Sequence, residues 1–413
     1  MVDGITRLAV EGFKSISQKQ SIDIAPLTIL AGANSSGKSS IIQPLLMLKQ
    51  TLDAVHDPGP LLISGGNVKF TSSDQFLSKT NAPVRRLLVE IATQGFEFHV
   101  TFSKASRTSP EILDEELILA GRRQRLTPNM PSHTIRETIG KAYAMGDGPD
   151  FAYSVVPNRF FLDVKTQSGP NFRFMERIEP FIKSVIHVPG LRKNPSRTYP
   201  AAAVGPEFPA TFEYYVASLI DHWQTTHDDR ARALDHDLRH IGLSRNIRAA
   251  RLSEVEIDLQ VGRTIDSGPN DTVSIADVGF GVSQTLPALV ALRAADQGQL
   301  VYIEEPEIHL HPRAQVKLAD IFAAAAERGV RVIAETHSSL LLRALQTAIA
   351  NGKLAPNLVR FHWFTRDAEG VTHISSATPD ENGAFGDWPE DFGDVALQSE
   401  QDYLDAVENK IAR

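Results

Sequence analysis

An apolar run, Leu27-Thr28-Ile29-Leu30-Ala31, breaks at Gly32-Ala33-Asn34-Ser35-Ser36-Gly37 and resumes after Lys38-Ser39-Ser40 as Ile41-Ile42. No other stretch so restricts what the chain can become. The spacing Gly32-x4-Gly37-Lys38-Ser39 is that of a phosphate-binding loop, in which a buried strand hands over to a helix across a turn of inward-pointing amides. The segment Gly32, Asn34, Ser35, Ser36, Gly37 and Ser40 is expected to wrap phosphate, with Lys38 reaching the terminal phosphates and the Ser39 hydroxyl ligating Mg2+. The positive end of the helix dipole adds to the same anion. A strand, turn and helix of this kind call for an α/β fold with the strand inside a sheet.

At 413 residues the chain is long enough for two or three lobes. It has no cysteine, which excludes disulfides and thiolate metal sites and fits a reducing, cytoplasmic setting. Met1-Val2-Asp3-Gly4-Ile5 has neither a basic nor an apolar leader pattern, and no apolar run approaches ~18 residues, so neither export nor a membrane span is expected. With a formal net charge of −8, any contact with nucleic acid must rest on a local basic surface.

Ile5–Phe13 and Ser21–Ile24 alternate as half-buried strands do, and Leu27–Ala31 reads as a fully buried one. From Ser39 to Leu52, Ile41, Ile42, Leu45, Leu46, Leu48 and Leu52 recur at helical spacing. Val84–Ala92 and Phe96–Phe102 read as a hairpin about Gln94-Gly95. Lys104 to Arg173 is polar and mixed, and 104–250 is read as an inserted subdomain between the N-terminal (1–103) and C-terminal (251–413) parts of one main lobe. Within it Val185–Val188 reads as a strand, and Thr211–Trp223 and Asp229–Ile241 as helices. Pro189 to Arg197 is a basic loop that either touches phosphate or is simply solvated. A strand at Val255–Val261, a return at Val273–Ala276 and a last strand near Val359–Phe364 follow. No long heptad run occurs, so no coiled-coil arm is expected.

Leu300 to Glu305 is an apolar strand ending in two acids, which sets carboxylates at the carboxyl edge of a parallel sheet, where ligands of open α/β folds bind. Glu304 is assigned to Mg2+ and Glu305 to orienting or deprotonating an attacking water. Val330 to Thr336 delivers His337 to the same edge, where it can hydrogen-bond the terminal phosphate.

The order of these motifs, together with a glycine-rich helix start at Asp277 to Gln284 and the run Glu335-Thr336-His337-Ser338, resembles the ABC-type ATPases related to SMC proteins and the OLD family. Within that group the chain is similar to prokaryotic AAA-like proteins marked by Glu305-Pro306-Glu307-Ile308-His309-Leu310-His311-Pro312. Phe13-Lys14-Ser15-Ile16, Leu191-Arg192-Lys193-Asn194-Pro195 and Asp387-Trp388-Pro389-Glu390-Asp391-Phe392 match the same pattern. The resemblance implies an ABC-type head with a mixed sheet flanked by helices. It also implies a homodimer in which ATP and Mg2+ lie between the phosphate loop of one subunit and the signature helix of the other. Carried over by position, the signature residues are Gly279, Gly281 and Ser283, although the usual signature serine falls on Gly279. Glu304 stands where the family most often has Asp, and His311 where a dimer-facing loop usually has Asp. His309 and His311 alternate as metal ligands could, but belong to a family pattern with no cysteine nearby. Gln75, in Ser73-Asp74-Gln75-Phe76, is the candidate for the loop glutamine that senses Mg2+.

OLD-family nucleases carry a further acidic domain after this core, whereas about 50 residues follow the last core strand here, too few for a typical domain. No intrinsic nuclease is expected. The chain is similar to ATPase subunits of anti-phage defence modules, such as the Septu-type PtuA proteins, that work with a separate nuclease or toxin effector. Two classes of output remain open. In one, Lys104, Arg107, Arg122, Arg123, Arg125, Arg192, Lys193 and Arg197 line a surface that contacts nucleic-acid phosphates. In the other, the ATPase is a protein-interaction switch. A DNA-repair or chromosome-maintenance ATPase is the alternative to a defence role.

Overall fold

The computed structural model describes residues 3–79, 86–104, 110–143, 151–173, 177–192, 194–264, 266, 268, 270–386, 401–405 and 407. Its centre is a six-stranded sheet in the order β10 (Ile186–Val188), β15 (Leu300–Glu304), β16 (Arg331–Thr336), β3 (Leu27–Gly32), β17 (Val359–Arg366) and β18 (Thr372–Ala377). The first five strands run parallel and β18 returns antiparallel. Every residue of β3 and of β16 is buried, as expected for parallel strands covered on both faces. The register pairs Glu304 with Glu335, Thr336 with Ala31 and Phe364 with Gly32, so the carboxyl ends of four strands meet at one edge.

On one face, alternate residues Ile29, Ala31, Val301, Ile303, Val332 and Ala334 pack under α6 (Phe280–Ala294), α7 (Pro312–Glu327) and α8 (Ser339–Ala350). On the other, Leu30, Tyr302 and Ile333 meet α1 (Lys38–Asp53), which is itself covered by an antiparallel sheet. That sheet has the order β2 (Gln20–Asp23), β1 (Arg7–Glu11), β4 (Arg86–Ala92), β5 (Phe96–Ser103), β6 (Glu111–Leu119) and β7 (Arg122–Leu126). Lying between two sheets, α1 is buried almost all round rather than along one stripe. Its buried polar groups are matched: Lys49 Nζ reaches Asp53 at 3.1 Å and the Lys183 carbonyl at 2.8 Å, and the Gln50 amide donates to the Leu62 carbonyl at 2.7 Å.

The stretch 104–250 is not a separate layer. β6 and β7 extend the antiparallel sheet through β5, and β10 is the edge strand beside β15. Between them, α2 (Ser132–Tyr143) packs on a hairpin of β8 (Tyr153–Asn158) and β9 (Phe161–Thr166), and α3 (Glu179–Lys183) packs on α1. Beyond β10 a small sheet of β11 (Tyr199–Pro200), β13 (Glu256–Gly262), β12 (Arg248–Arg251) and β14 (Thr272–Ser274) packs with α4 (Val216–Thr225), and α5 (Asp229–His240) packs on α6. The helix expected from Thr211 begins instead with a 3-10 turn, Phe212–Tyr215, before α4. The longest described helices, α1 and α7, have 16 residues each, about 24 Å at 1.5 Å per residue, far short of a coiled-coil arm. Among the described residues no helix is long and apolar enough to cross a membrane.

Candidate functional site

The turn between β3 and α1 has the shape its glycines permit. Gly37 sits at φ 102°, and a Cβ there would lie 2.4 Å from Thr372 Oγ1, so both backbone and space exclude a side chain. A Cβ on Gly32 would lie 2.4 Å from the Phe364 carbonyl. The buried Thr372 hydroxyl braces the turn from behind, within 2.7 Å of both the Ser36 carbonyl and Ser15 Oγ. α1 begins with no side-chain cap and no acid in its first turn, so its leading amides are left for an anion. Lys38 Nζ folds back on the Gly32 and Ala33 carbonyls at 3.0 and 2.9 Å. Burial lowers its pKa, opposed by the Glu335, Glu305 and Glu307 carboxylates. A cavity of about 800 Å³ opens here, bounded by Asn34, Ser35, Gly37, Lys38, Ser39, Ser40, Glu305, Glu335 and His337 among others.

The acids divide unexpectedly. Glu305, at φ 44°, is a non-glycine residue in the left-handed region, just past β15, and its amide donates to the Glu335 carbonyl at 2.8 Å. Its carboxylate lies on the cavity wall, 3.7 Å from His337 Nε2. Glu304, expected at the metal, does not line the cavity; its Oε1 is 3.2 Å from His187 Nε2, and its Oε2 accepts from the Gly190 amide at 2.9 Å. Burial works to raise the Glu304 pKa, but His187, the Gly190 amide and the Tyr302 hydroxyl together hold it below the ordinary carboxylate range. The acid that touches the phosphate-loop serine is Glu335, not singled out from the sequence: Ser39 Oγ donates to its Oε1 at 2.8 Å, and the Tyr302 hydroxyl donates to its Oε2. Burial raises Glu335 to about 7, with the Glu304 charge adding and Tyr302, Ser39 and Lys38 opposing.

His337 follows β16 and reaches the cavity as its sequence position implies. Its amide donates to Glu307 Oε1 at 2.8 Å, and the Thr336 hydroxyl donates to the same oxygen at 2.6 Å. Burial and then the Lys38 charge lower the His337 pKa, so its ring is neutral at pH 7. The two histidines of the Glu305 to Pro312 segment have structural places. His311 accepts from the Arg313 amide as the N-cap of α7, and the His309 ring lies 5.8 Å from that of Phe280. Among the described residues no cluster of three His, Asp or Glu could cage a metal ion. The donors present at the turn, a hydroxyl and carboxylates, are the hard oxygens that suit Mg2+, which takes one or two protein ligands and fills the rest with phosphate and water.

A family model described as "AAA domain, putative AbiEii toxin, Type IV TA system" matches residues 27–343, which run from the strand before the phosphate loop to the helix after His337. The chain belongs to this family. Among solved structures, an Smc head bound to the C-winged helix domain of ScpA matches with a TM-score of 0.50 at 14% identity, covering 91% of this chain and 98% of that one. Two others score lower. The SMC head domain from Thermotoga maritima gives 0.41 at 12% identity, with 90% and 98% covered. The Pyrococcus furiosus Smc head with an extended coiled coil, bound to the C-terminal domain of ScpA, gives 0.46 at 11%, with 98% and 100% covered. The first establishes the fold, that of an ABC-type ATPase head. No curated protein matches the chain in sequence.

In this AAA-family chain the other site residues lie apart from the cavity or at its rim. Gly279, Gly281 and Ser283 start α6 and do not line it. A Cβ on Gly279 would meet nothing within 4 Å, whereas one on Gly281 would press on Leu243 and the His309 carbonyl at 3.3 and 3.4 Å. Ser283 Oγ donates to the Phe280 carbonyl at 3.2 Å. Gln75 does line the cavity, but its amide is held by Thr71: its Nε2 donates to Thr71 Oγ1 and its Oε1 accepts from the Thr71 amide, both at 2.8 Å. Of the eight basic residues expected to form one surface, four are paired with acids, and Arg122 lies exposed on β7. Lys104 pairs with Asp74 at 2.8 Å, Arg123 with Glu116 at 3.6 Å, Arg125 with Asp114 at 3.3 Å and Arg197 with Asp277 at 2.7 Å. Arg192 turns inward and donates to the Glu304 carbonyl at 2.8 Å. Arg107, Lys193 and Asp387 to Phe392 lie outside the described residues.

Proposed function

We propose that the chain is a Mg2+-dependent ATPase that closes as a homodimer around ATP and acts as a switch on a separate effector in a prokaryotic defence module. The observation that carries the catalytic part is the convergence of the phosphate loop, Glu305 and the neutral His337 on one cavity. Incoming phosphates draw Lys38 Nζ off its own loop carbonyls, and the uncapped amides of α1 take the anion. Glu305 orients the attacking water and takes up its proton, while His337 donates a hydrogen bond to the terminal phosphate. When bound, Mg2+ neutralises charge on the phosphate oxygens beside Ser39.

Homodimerisation is supported by Gly279, Gly281 and Ser283 lying outside the lining of their own chain's cavity, which leaves them for a second copy. A switch read by another protein, rather than direct contact with DNA, is supported by the acids beside the exposed arginines, which lower the net positive potential that a nucleic-acid backbone would meet. The Smc head's capture of a ScpA domain shows that a head of this fold can hold a protein partner, and we extend that mode to the effector. Phosphate release by the purified protein, with and without duplex DNA at low salt, tests the reading. Turnover indifferent to DNA is expected, and turnover that rises with DNA and falls back with salt would move the reading to a nucleic-acid sensor or a DNA-maintenance ATPase.

A further inference from the structure

We propose that Glu335, not Glu304, is the carboxylate that works with Ser39 to hold the nucleotide's Mg2+. The inference rests on the nucleotide-site reading above and deepens it.

The argument begins with strand order. β16 lies directly beside β3, whereas β15 lies one strand further out, and Glu335 and Glu304 are register partners on one face. Neighbouring strands are about 4.8 Å apart, so Glu335 starts one strand spacing closer to the phosphate loop. A Glu on β15 could bridge that gap if its head were free, but Glu304 is tied in the opposite direction. Its two oxygens are engaged by His187 and the Gly190 amide, and its carbonyl accepts from Arg192. His187 is itself fixed, with Nδ1 3.1 Å from Asn67 Oδ1 and its ring stacked on Tyr302 at 5.4 Å. Glu304 thus anchors the loop after β10.

Glu335 has the complementary surroundings. The Ser39 proton is committed to its Oε1, which leaves the Ser39 lone pairs for a cation on the cavity side. The Tyr302 hydroxyl occupies the other oxygen and fixes the carboxylate plane. Glu335 is 5% exposed beside the phosphate loop, so a cation bound there would compensate its charge where solvent does not.

The test is the binding of a fluorescent ADP analogue in EDTA and across a Mg2+ titration, using wild type, Glu335→Gln, Glu335→Asp and Glu304→Gln, each first checked for native circular dichroism. Wild type should bind in EDTA and bind more tightly with Mg2+. Glu335→Gln should keep the EDTA affinity and lose the Mg2+-dependent gain, with the half-saturating Mg2+ concentration raised about ten-fold or more. Glu335→Asp keeps the charge one methylene short and should give an intermediate shift, so it carries the test if the glutamine variant does not fold. Glu304→Gln should keep the Mg2+-dependent gain. A full gain in either Glu335 variant, or its loss in Glu304→Gln alone, would overturn the assignment. Absence of any nucleotide binding by wild type would instead overturn the underlying nucleotide-site reading.

Discussion

Glu307→Ala isolates the part played by the segment between β15 and β16. Glu307 Oε1 is the acceptor for both the Thr336 hydroxyl at 2.6 Å and the His337 amide at 2.8 Å, and Thr336 Oγ1 in turn accepts from the Ser338 amide at 2.9 Å. Removing the carboxylate strands two donors at about 1–3 kcal/mol each. The cavity beside His337 lets water reach its amide, whereas Thr336 is fully buried, so the net loss should be roughly 2–3 kcal/mol. Because the same contacts fix the backbone that carries the imidazole, turnover at saturating ATP should fall about ten- to a hundred-fold with little change in nucleotide affinity. Glu307→Gln offers the same acceptor oxygen but buries its amide NH2 where Oε2 has no hydrogen-bond partner, so it should lose about 1–2 kcal/mol of stability while keeping turnover near wild type. Urea unfolding followed by tryptophan fluorescence, alongside phosphate release, reads both quantities. Wild-type stability and turnover in Glu307→Ala, or equal loss of turnover in the two variants, would refute the positioning role.

Lys38→Ala should lose nucleotide binding by roughly a hundred-fold, about 2.7 kcal/mol, without losing native circular dichroism, as equilibrium dialysis would show. Gly37→Ala must hold a side chain at φ 102° with its Cβ 2.4 Å from Thr372 Oγ1, at a backbone cost alone of about 1–2 kcal/mol, and should both lower the melting temperature and weaken ATP binding. Glu115, buried in β6 with Oε2 accepting from the Leu162 amide at 2.7 Å, has its pKa pushed well above the ordinary value by burial. The folded state therefore keeps a proton that the unfolded chain releases above its own carboxylate pKa, so this contribution to stability is full at acid pH and is lost as pH rises toward the folded pKa. Glu115→Gln should abolish that part of the slope, up to about 1.4 kcal/mol per pH unit, in denaturation measured from pH 5 to 8; a difference from wild type that does not vary with pH would contradict it.

The sequence made the phosphate side of the site legible because its chemistry is local. Gly37 has to be glycine for a turn, and Lys38 and Ser39 have to follow it, within a single contiguous motif. β3, α1, β15 and β16 are equally readable, since the strands are mostly apolar and Ile41, Ile42, Leu45, Leu46, Leu48 and Leu52 recur along α1 at helical spacing. What escaped was set by pairing between distant segments. Glu335 sits within β16 like any strand residue, and only its place beside β3 makes it the partner of Ser39; the one local signal was a carboxylate inside an apolar run. Glu304 reads as a metal ligand until His187, 117 residues earlier, is seen to hold it. β6 and β7 read as part of an insertion because Glu115 and Gln124 occupy inward positions and Leu113 faces out, which breaks the apolar-in, polar-out alternation of half-buried strands.

The most direct measurement is phosphate release from ATP by wild type and Glu305→Gln, purified side by side, with nucleotide binding measured on the same samples. If Glu305 orients and deprotonates the water, Glu305→Gln retains ATP with wild-type affinity and turns it over at least about a hundred-fold more slowly. Equal rates in the two proteins, with both binding ATP, would contradict the assignment of this cavity as the hydrolytic site.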